Sequence, residues 1–497
     1  MTGKHIKKWL LKFLKISLWI CILISVYMRT RLLDMGYEFD ELFTAVSTDP
    51  SLPFSWIYTN YLLPDVHPPL YNALVWIWNH IAPYGPEFWL RLPSLFLGIA
   101  SLVVAWCFFP KRFGKWARLI FLCLLSCNLY TIAYSQHARS YMLILLLSVI
   151  LTYLFVCISH ATRRNISVSR KTWVGFAITS FLLCWTHYFG ALLFGVFSII
   201  LALQAWYYKR KMLCFLLVPC LVFAGFLPWL IPNFFAQISL DRFSGNWWAN
   251  EIPFWFSFLA LLIFWTTSLE GAVVMGLLLL TFSLYRFLPL RKPIRFFPCP
   301  EILPFLLVII LFIAGVGLVS LKTFMFITRY FIVLLPSVFL ILSLCFAPLI
   351  RKKPFWGFFL ILLLIVNINS FWKQCSTYAE IGDLKLPARK IAQIFRDRYA
   401  DKEMFVIAME AFPPQSMPAM YGFYVNKIYK LNMPVYELFF MEEAKREALL
   451  ARQKDAVIWM PNCTQDKLSR ISLEWKKTVY TYDHVGFVCF LRLEDEK

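Results

Sequence analysis

Charge is what this sequence has least of. Only 15% of its 497 residues are Asp, Glu, Lys or Arg, against about 25% in average soluble domains, while 60% are hydrophobic. That excludes a water-soluble protein over most of the chain. Apolar runs near or above the roughly 18 residues that cross a bilayer recur along it, and only the part after Phe371 reads as soluble. Acids are missing where bases gather. Lys and Arg cluster at 4–15, 111–118, 163–171, 209–211, 286–295 and 351–353, with Glu301 the one acid beside them. The formal charge of +21 therefore reports topology, not a nucleic-acid partner, and the basic loops mark the cytoplasmic side.

Other absences narrow the class further. The 13 cysteines show no CxxC spacing and no His partners, so neither a zinc site nor a redox pair is indicated. Of these, Cys375, Cys463 and Cys489 fall in the tail expected to face an oxidising compartment, where one pair can bond. No small-residue cleavage site follows the basic and then apolar amino-terminal stretch, which reads as an uncleaved first span with the amino terminus in the cytoplasm. No internal repeat is visible, which argues against a transporter built from related halves. The tail carries no Gly-rich phosphate loop and no catalytic cluster.

Basic loops at both ends of a stretch require an even number of crossings between them. The run 173–208 therefore holds two short spans, with "CWTHYFGALL" as their outer turn. The run 253–290 follows an outer loop and precedes a basic cluster, so one span is expected at 270–288, leaving 254–268 as an interfacial or re-entrant helix. The tally is about 11 spans, the last at 355–371, in a multi-pass protein of a cell (inner) membrane. A transmembrane region is thus expected at 1–372 with its first outer loop at 29–89. An extracytoplasmic (periplasmic) α/β domain is expected at 373–497, with strands "MFVIAM", "IYKLNM", "DAVIWM", "KTVYTY" and "GFVCFLRL" and helices "LPARKIAQIFRDRYA" and "MEEAKREALLARQK".

What the sequence does have is an outer loop dense in acids. "YEFDELFTAVSTDPSLPFSWIYTNYLLPDVHPPLYN" holds Asp40, Glu41, Asp49, Asp65 and His67. A carboxylate held at the membrane surface, partly desolvated, is a stronger base than in water and can take a proton from an attacking hydroxyl; the plain alternative is an acid pair that solvates a loop. Asp65 and His67 precede Pro68 and Pro69, which stiffen the backbone before an apolar helix. Arg139 and His137 lie in a very short outer turn in "YTIAYSQHARSYML". An Arg so near hydrocarbon needs an anion, and a lipid phosphate suits its planar fork. Lys322 and Arg329 flank another outer turn. His187 sits at similar depth but alone, where a buried His satisfied by the backbone is the commoner case, and Arg91 reads as a helix-end anchor.

In order along the chain, "FDE", "DVHPPLYN", "RLPS", "YSQHARSYML", "THYFGAL" and "TRYFIVLLPS" resemble membrane glycosyltransferases that use lipid-phosphate sugars: relatives of dolichyl-phosphate-mannose protein mannosyltransferase and bacterial lipid A aminoarabinose transferase. The resemblance covers about residues 37–336. It implies the GT-C fold and an inverting transfer from a polyprenyl-phosphate sugar to a glycolipid, glycan or protein acceptor. By that resemblance Asp40 would be the base and Arg139 and Arg329 the phosphate ligands; from their own placement in the outer loops and turns, Glu41, Asp65, His67, His187 and Lys322 are the further residues expected to bind substrate, with no cofactor expected other than a divalent metal in the alternative below. His67 stands where the aminoarabinose transferase pattern has Lys, which argues against an aminoarabinose donor. The extra sugar-binding domain of eukaryotic protein mannosyltransferases is absent.

Two other readings stay open. A metal-dependent oligosaccharyl transferase would use Asp40, Asp65 and His67 together on a divalent cation. A lipid-linked sugar transporter or flippase would carry its ionisable residues in mid-span on helices broken by Gly or Pro, whereas here they lie in loops.

Overall fold

A computed structural model describes residues 3–239, 300–320, 325–381, 388–407, 417–439, 441–452, 456–460, 463–485 and 488–495. The expected span at 270–288, the expected interfacial helix at 254–268 and Lys322 lie outside these residues. Contacts divide the chain into two units: Met1–Leu32, Val66–Tyr71 and Leu92–Gln374 form the first, and Leu33–Asp65, Asn72–Arg91 and Cys375–Lys497 the second.

Along the chain the helices are α1 (Gly3–Met28), α2 (Phe39–Val46), α3 (Leu70–Asn79), α4 (Glu87–Phe108), α5 (Gly114–Cys127), α6 (Leu129–Tyr134) and α7 (Tyr141–Arg163). There follow α8 (Arg170–Cys184), α9 (Tyr188–Tyr207), α10 (Leu213–Ser239), α11 (Ile302–Ser320), α12 (Leu335–Lys352) and α13 (Trp356–Ile381). Among the described residues, eight helical stretches are long and apolar enough to cross a membrane. At 14 and 15 residues, α5 and α8 fall short of that length. The protein is a multi-pass helical membrane protein.

Local chemistry sets where several of these helices begin and end. Arg163 occupies the last turn of α7, and Arg351 and Lys352 that of α12, where cations complement the partial negative charge of the helix end. Ser169 starts α8 by accepting from Thr172 N at 3.1 Å. Only three residues separate α8 from α9, and the turn is so tight that a Cβ on Gly190 would lie 2.8 Å from the Leu183 carbonyl oxygen. Glycine is the residue this turn admits.

The carboxyl-terminal part of the second unit is a five-stranded sheet in the order β2-β1-β3-β5-β4. Its strands are β1 (Glu403–Val406), β2 (Val435–Glu437), β3 (Ala456–Met460), β4 (Lys477–Val485) and β5 (Val488–Asp495). Both β2 and β3 run parallel to β1, while β5 is antiparallel to β3 and β4. With α14 (Ala388–Arg398), α15 (Glu443–Leu450) and α16 (Gln465–Trp475) this is the partly parallel α/β domain expected. Phe405, Ile458, Leu491, Ile471 and Trp475 fill its core, and Cys463 is disulfide-bonded to Cys489.

One expected strand is corrected. "IYKLNM" is not extended, because Lys430 and Asn432 take left-handed φ values of 56° and 53° and Asn426 closes the turn by bonding both the N–H and the carbonyl of Met433. The strand forms two residues later, at Val435. Helix α16 was not expected from the sequence.

Within the second unit, the residues before and around α2 and the start of α4 are bound to the carboxyl-terminal chain by polar contacts. Glu87 accepts from Tyr424 Oη at 2.5 Å and Arg389 Nε at 2.9 Å. Tyr424 in turn accepts from Tyr37 N, and burial with the neighbouring Glu87 raises its phenol well above the ordinary range, so it stays a donor. Asp49 pairs with Lys427 at 2.6 Å. Burial works against its ionisation, but the hydrogen bonds from Lys427 and Ser51 outweigh that and its pKa is lowered.

Candidate active site

In the second unit, the site residues begin with the "FDE" sequence at the start of α2. Glu41 is fully buried and accepts both Nε and NH2 of Arg91, at 2.8 and 2.5 Å, and also the N–H of Glu38 at 3.0 Å. The rest of the Arg91 fork donates to the carbonyls of Leu33, Met35 and Gly36 at 3.0, 2.6 and 3.1 Å. All five N–H groups of a guanidinium are thereby used. Arg91 is not simply the helix-end anchor read from the sequence: it closes the loop from Leu33 to Glu41 and fixes the first turn of α2. Asp40, one position before Glu41, is half-buried. Asp65 is buried, its N–H donating to the Leu62 carbonyl at 3.0 Å.

In the first unit, basic side chains from four separate stretches come together. His67 is the first. The stretch it begins is held to the α8–α9 turn by a backbone hydrogen bond from Leu70 N to Trp185 O at 3.1 Å, and Pro68 and Pro69 stiffen the chain between. His187 comes from that turn, its ring 5.2 Å from that of His67. Arg139 comes from the turn between α6 and α7. It is buried, with NH2 3.5 Å from His67 Nδ1 and its carbonyl accepting from Ser94 Oγ at 3.3 Å. Ser94 also bonds Tyr71 at 2.8 Å, so α3 and α4 both brace the arginine's backbone. A Cβ on Gly98 would collide with Ser135 Oγ, which is how closely α4 approaches this turn.

The fourth stretch is the 3₁₀ segment Thr328–Leu334 before α12. The Tyr330 ring lies tilted 4.8 Å from His187 and edge-on 6.0 Å from His67, and the Arg329 guanidinium lies 5.7 Å from the Tyr330 ring. His187 registers the whole group electrostatically: burial first, then His67, Arg139 and Arg329, push its pKa well below the ordinary imidazole value. Two guanidiniums and a neutral imidazole gathered at one place suit an anion.

The structure thus brings His67, Arg139, His187 and Arg329 together and gives Glu41 a structural partner. Tyr330 was overlooked in the sequence, although it stands inside the quoted "TRYFIVLLPS". Among the described residues, no group of three or more His, Cys, Asp or Glu side chains is disposed to hold a metal ion.

No family model matches the sequence and no curated protein matches it significantly. Solved structures do. The chain has the GT-C fold of membrane glycosyltransferases. ArnT, the lipid A aminoarabinose transferase, from Cupriavidus metallidurans in its apo state is similar with a TM-score of 0.62 at 11% identity, over 95% of this chain and 97% of that one. ArnT bound to undecaprenyl phosphate is similar with a TM-score of 0.57, again at 11% identity, over 96% and 97%.

Proposed function

We propose that this protein is an inverting glycosyltransferase that moves a sugar from a polyprenyl-phosphate donor to an acceptor hydroxyl on the extracytoplasmic face of the inner membrane. The observation that carries the reading is the convergence of Arg139, Arg329, His67 and His187 on one buried spot of a GT-C fold. The structure of ArnT with undecaprenyl phosphate gives the reading a precedent in ligand class.

The chemistry follows from the leaving group. The acceptor oxygen attacks the anomeric carbon from the face opposite the phosphate, the bond from that carbon to the phosphate oxygen breaks, and the phosphate keeps the electron pair. Arg139 and Arg329 neutralise the charge that grows there, as donors in an oxyanion hole do. Asp40 takes the acceptor proton. A single base with inversion needs no second carboxylate as nucleophile. Glu41, engaged by Arg91, is a positioning residue that holds the backbone of Asp40. No metal enters any step; the sugar moved is a hexose or pentose, and the accepting hydroxyl belongs to a glycolipid, glycan or protein.

Purified protein given a radiolabelled polyprenyl-phosphate sugar and a membrane extract as acceptor should transfer label, with or without a chelator. Failure to use any lipid-phosphate sugar, with label moving only from nucleotide sugars, would contradict the proposal. Loss of transfer on chelation would favour the metal-dependent oligosaccharyl transferase instead.

A further inference from the structure

We propose that His187 is a fixed, uncharged N–H donor to a phosphoryl oxygen of the lipid donor, its imidazole locked so that Nε2 carries the proton. The assignment rests on the transferase reading and sharpens it, since neither burial nor charge alone would say which atom of His187 meets the ligand.

The lock is the start of α9. His187 is the residue that caps this helix, and its Nδ1 accepts the N–H of Phe189 at 3.1 Å. A ring nitrogen that accepts cannot hold a proton, so a neutral imidazole here has its one hydrogen on Nε2. That Nε2 is buried and, among the described residues, has no hydrogen-bond partner. The side chain is only 3% exposed. A buried donor left without an acceptor is destabilising, and the groups around this imidazole are His67, Arg139 and the Arg329–Tyr330 pair. Those neighbours predict an anionic oxygen as the missing acceptor.

Neutrality also has a use. The phosphodiester of a polyprenyl-phosphate sugar carries one negative charge, which two guanidiniums already outnumber. A third cation would add repulsion in a buried place, whereas a neutral N–H adds a directed hydrogen bond without charge. Burial and the same cations hold the imidazole in that neutral form.

Two substitutions separate the cap from the donor. His187→Asn keeps an acceptor where Nδ1 stands, and Asn is among the best helix caps, but nothing replaces Nε2. His187→Gln is the converse: its amide N–H reaches about as far as Nε2. With purified full-length protein in detergent and undecaprenyl phosphate as the probe, binding should weaken roughly ten- to a hundredfold in the Asn variant and stay within about threefold of wild type in the Gln variant. Equal affinity in the Asn variant would make His187 a cap only, and equal losses in both variants would show that ring shape, not the N–H, matters. Each result overturns the assignment while leaving the transferase reading in place. Should wild type fail to bind undecaprenyl phosphate, the transferase reading falls and this assignment with it, whereas binding unaltered by Arg139→Ala overturns only the anion site that Arg139 and His187 are taken to share.

A measurement on unmutated protein keeps the test open if a variant misfolds. With 15N-labelled histidine, the resonances of His187 should report a protonated Nε2 and a bare Nδ1, and the Nε2 signal should move on adding undecaprenyl phosphate. An Nδ1–H tautomer, an imidazolium or an unmoved Nε2 signal would refute it.

Discussion

Replacing Arg91 by Lys keeps the charge and removes the fork, which makes it a clean probe of how the acid loop is held. Arg91 serves five acceptors in the second unit: both oxygens of Glu41 and the carbonyls of Leu33, Met35 and Gly36. An ammonium has three N–H donors and no planar spread, so at least two of those acceptors lose their partner. Arg91 and Glu41 are 2% and 0% exposed, which leaves water little room to substitute. At about 1–3 kcal/mol for each buried group left unsatisfied, Arg91→Lys should destabilise the protein by roughly 2–6 kcal/mol, the lower end if the loop relaxes to admit water. Because the same fork fixes the first turn of α2, transferase turnover should fall as well, through displacement of Asp40. The assay pairs intrinsic-fluorescence unfolding of purified protein with steady-state transfer. Glu41→Gln belongs beside it, since an amide turns an N–H toward the guanidinium and breaking a buried ion pair costs about 3–5 kcal/mol. The two effects should be strongly non-additive in the double variant. An Arg91→Lys protein that unfolds and turns over like wild type would refute this account of the loop.

Other perturbations test separate parts of the account. Arg139→Lys should weaken donor use and Arg139→Ala should nearly abolish it with little change in unfolding, because charge without the fork retains only part of a phosphate contact; unaltered donor affinity and turnover in the Ala variant would take Arg139 out of the site. For topology, tags at Arg164, Arg210 and Lys352 should be reached only from the cytoplasm, and tags at Asp65, Asn246 and Asp466 only from outside. A cytoplasmic tag at Asp466 would overturn the parity argument.

Much of the fold could be read because its causes are local. Apolar length and basic loops located the long helices, and the parity of basic clusters put a turn at "CWTH", where α8 ends at Cys184 and α9 starts at Tyr188. Strand patterns in the tail were mostly legible as well. "IYKLNM" misled because alternating apolar residues look like a strand until the left-handed backbone at Lys430 and Asn432 breaks it. Helix α16 escaped because "QDKLSRISLEW" is polar on most of its faces and only Ile471 and Trp475 are buried.

The site was legible as a set of residues but not as an arrangement. Arginines and histidines in short turns signal that each needs a partner; that His67, Arg139, His187 and Arg329 share one depends on helix packing. Pairings across long separations were invisible altogether. Glu41 and Arg91 stand 50 residues apart and Asp49 and Lys427 stand 378 apart, so nothing in the local sequence tells a carboxylate held in an ion pair from one poised for chemistry. That is why Glu41 was grouped with the substrate-binding acids, and why Arg91 was given a lesser role.

The most direct test of the central claim is the turnover of Asp40→Asn with a polyprenyl-phosphate sugar under saturating donor. Asn preserves the shape and the hydrogen bonding of the half-buried side chain but cannot accept a proton, so loss of the general base should lower turnover by about a hundredfold or more while unfolding and donor affinity stay near wild type. An Asn variant of normal fold that transfers sugar at a near-normal rate would contradict the account, because Asp40 would then not be the base.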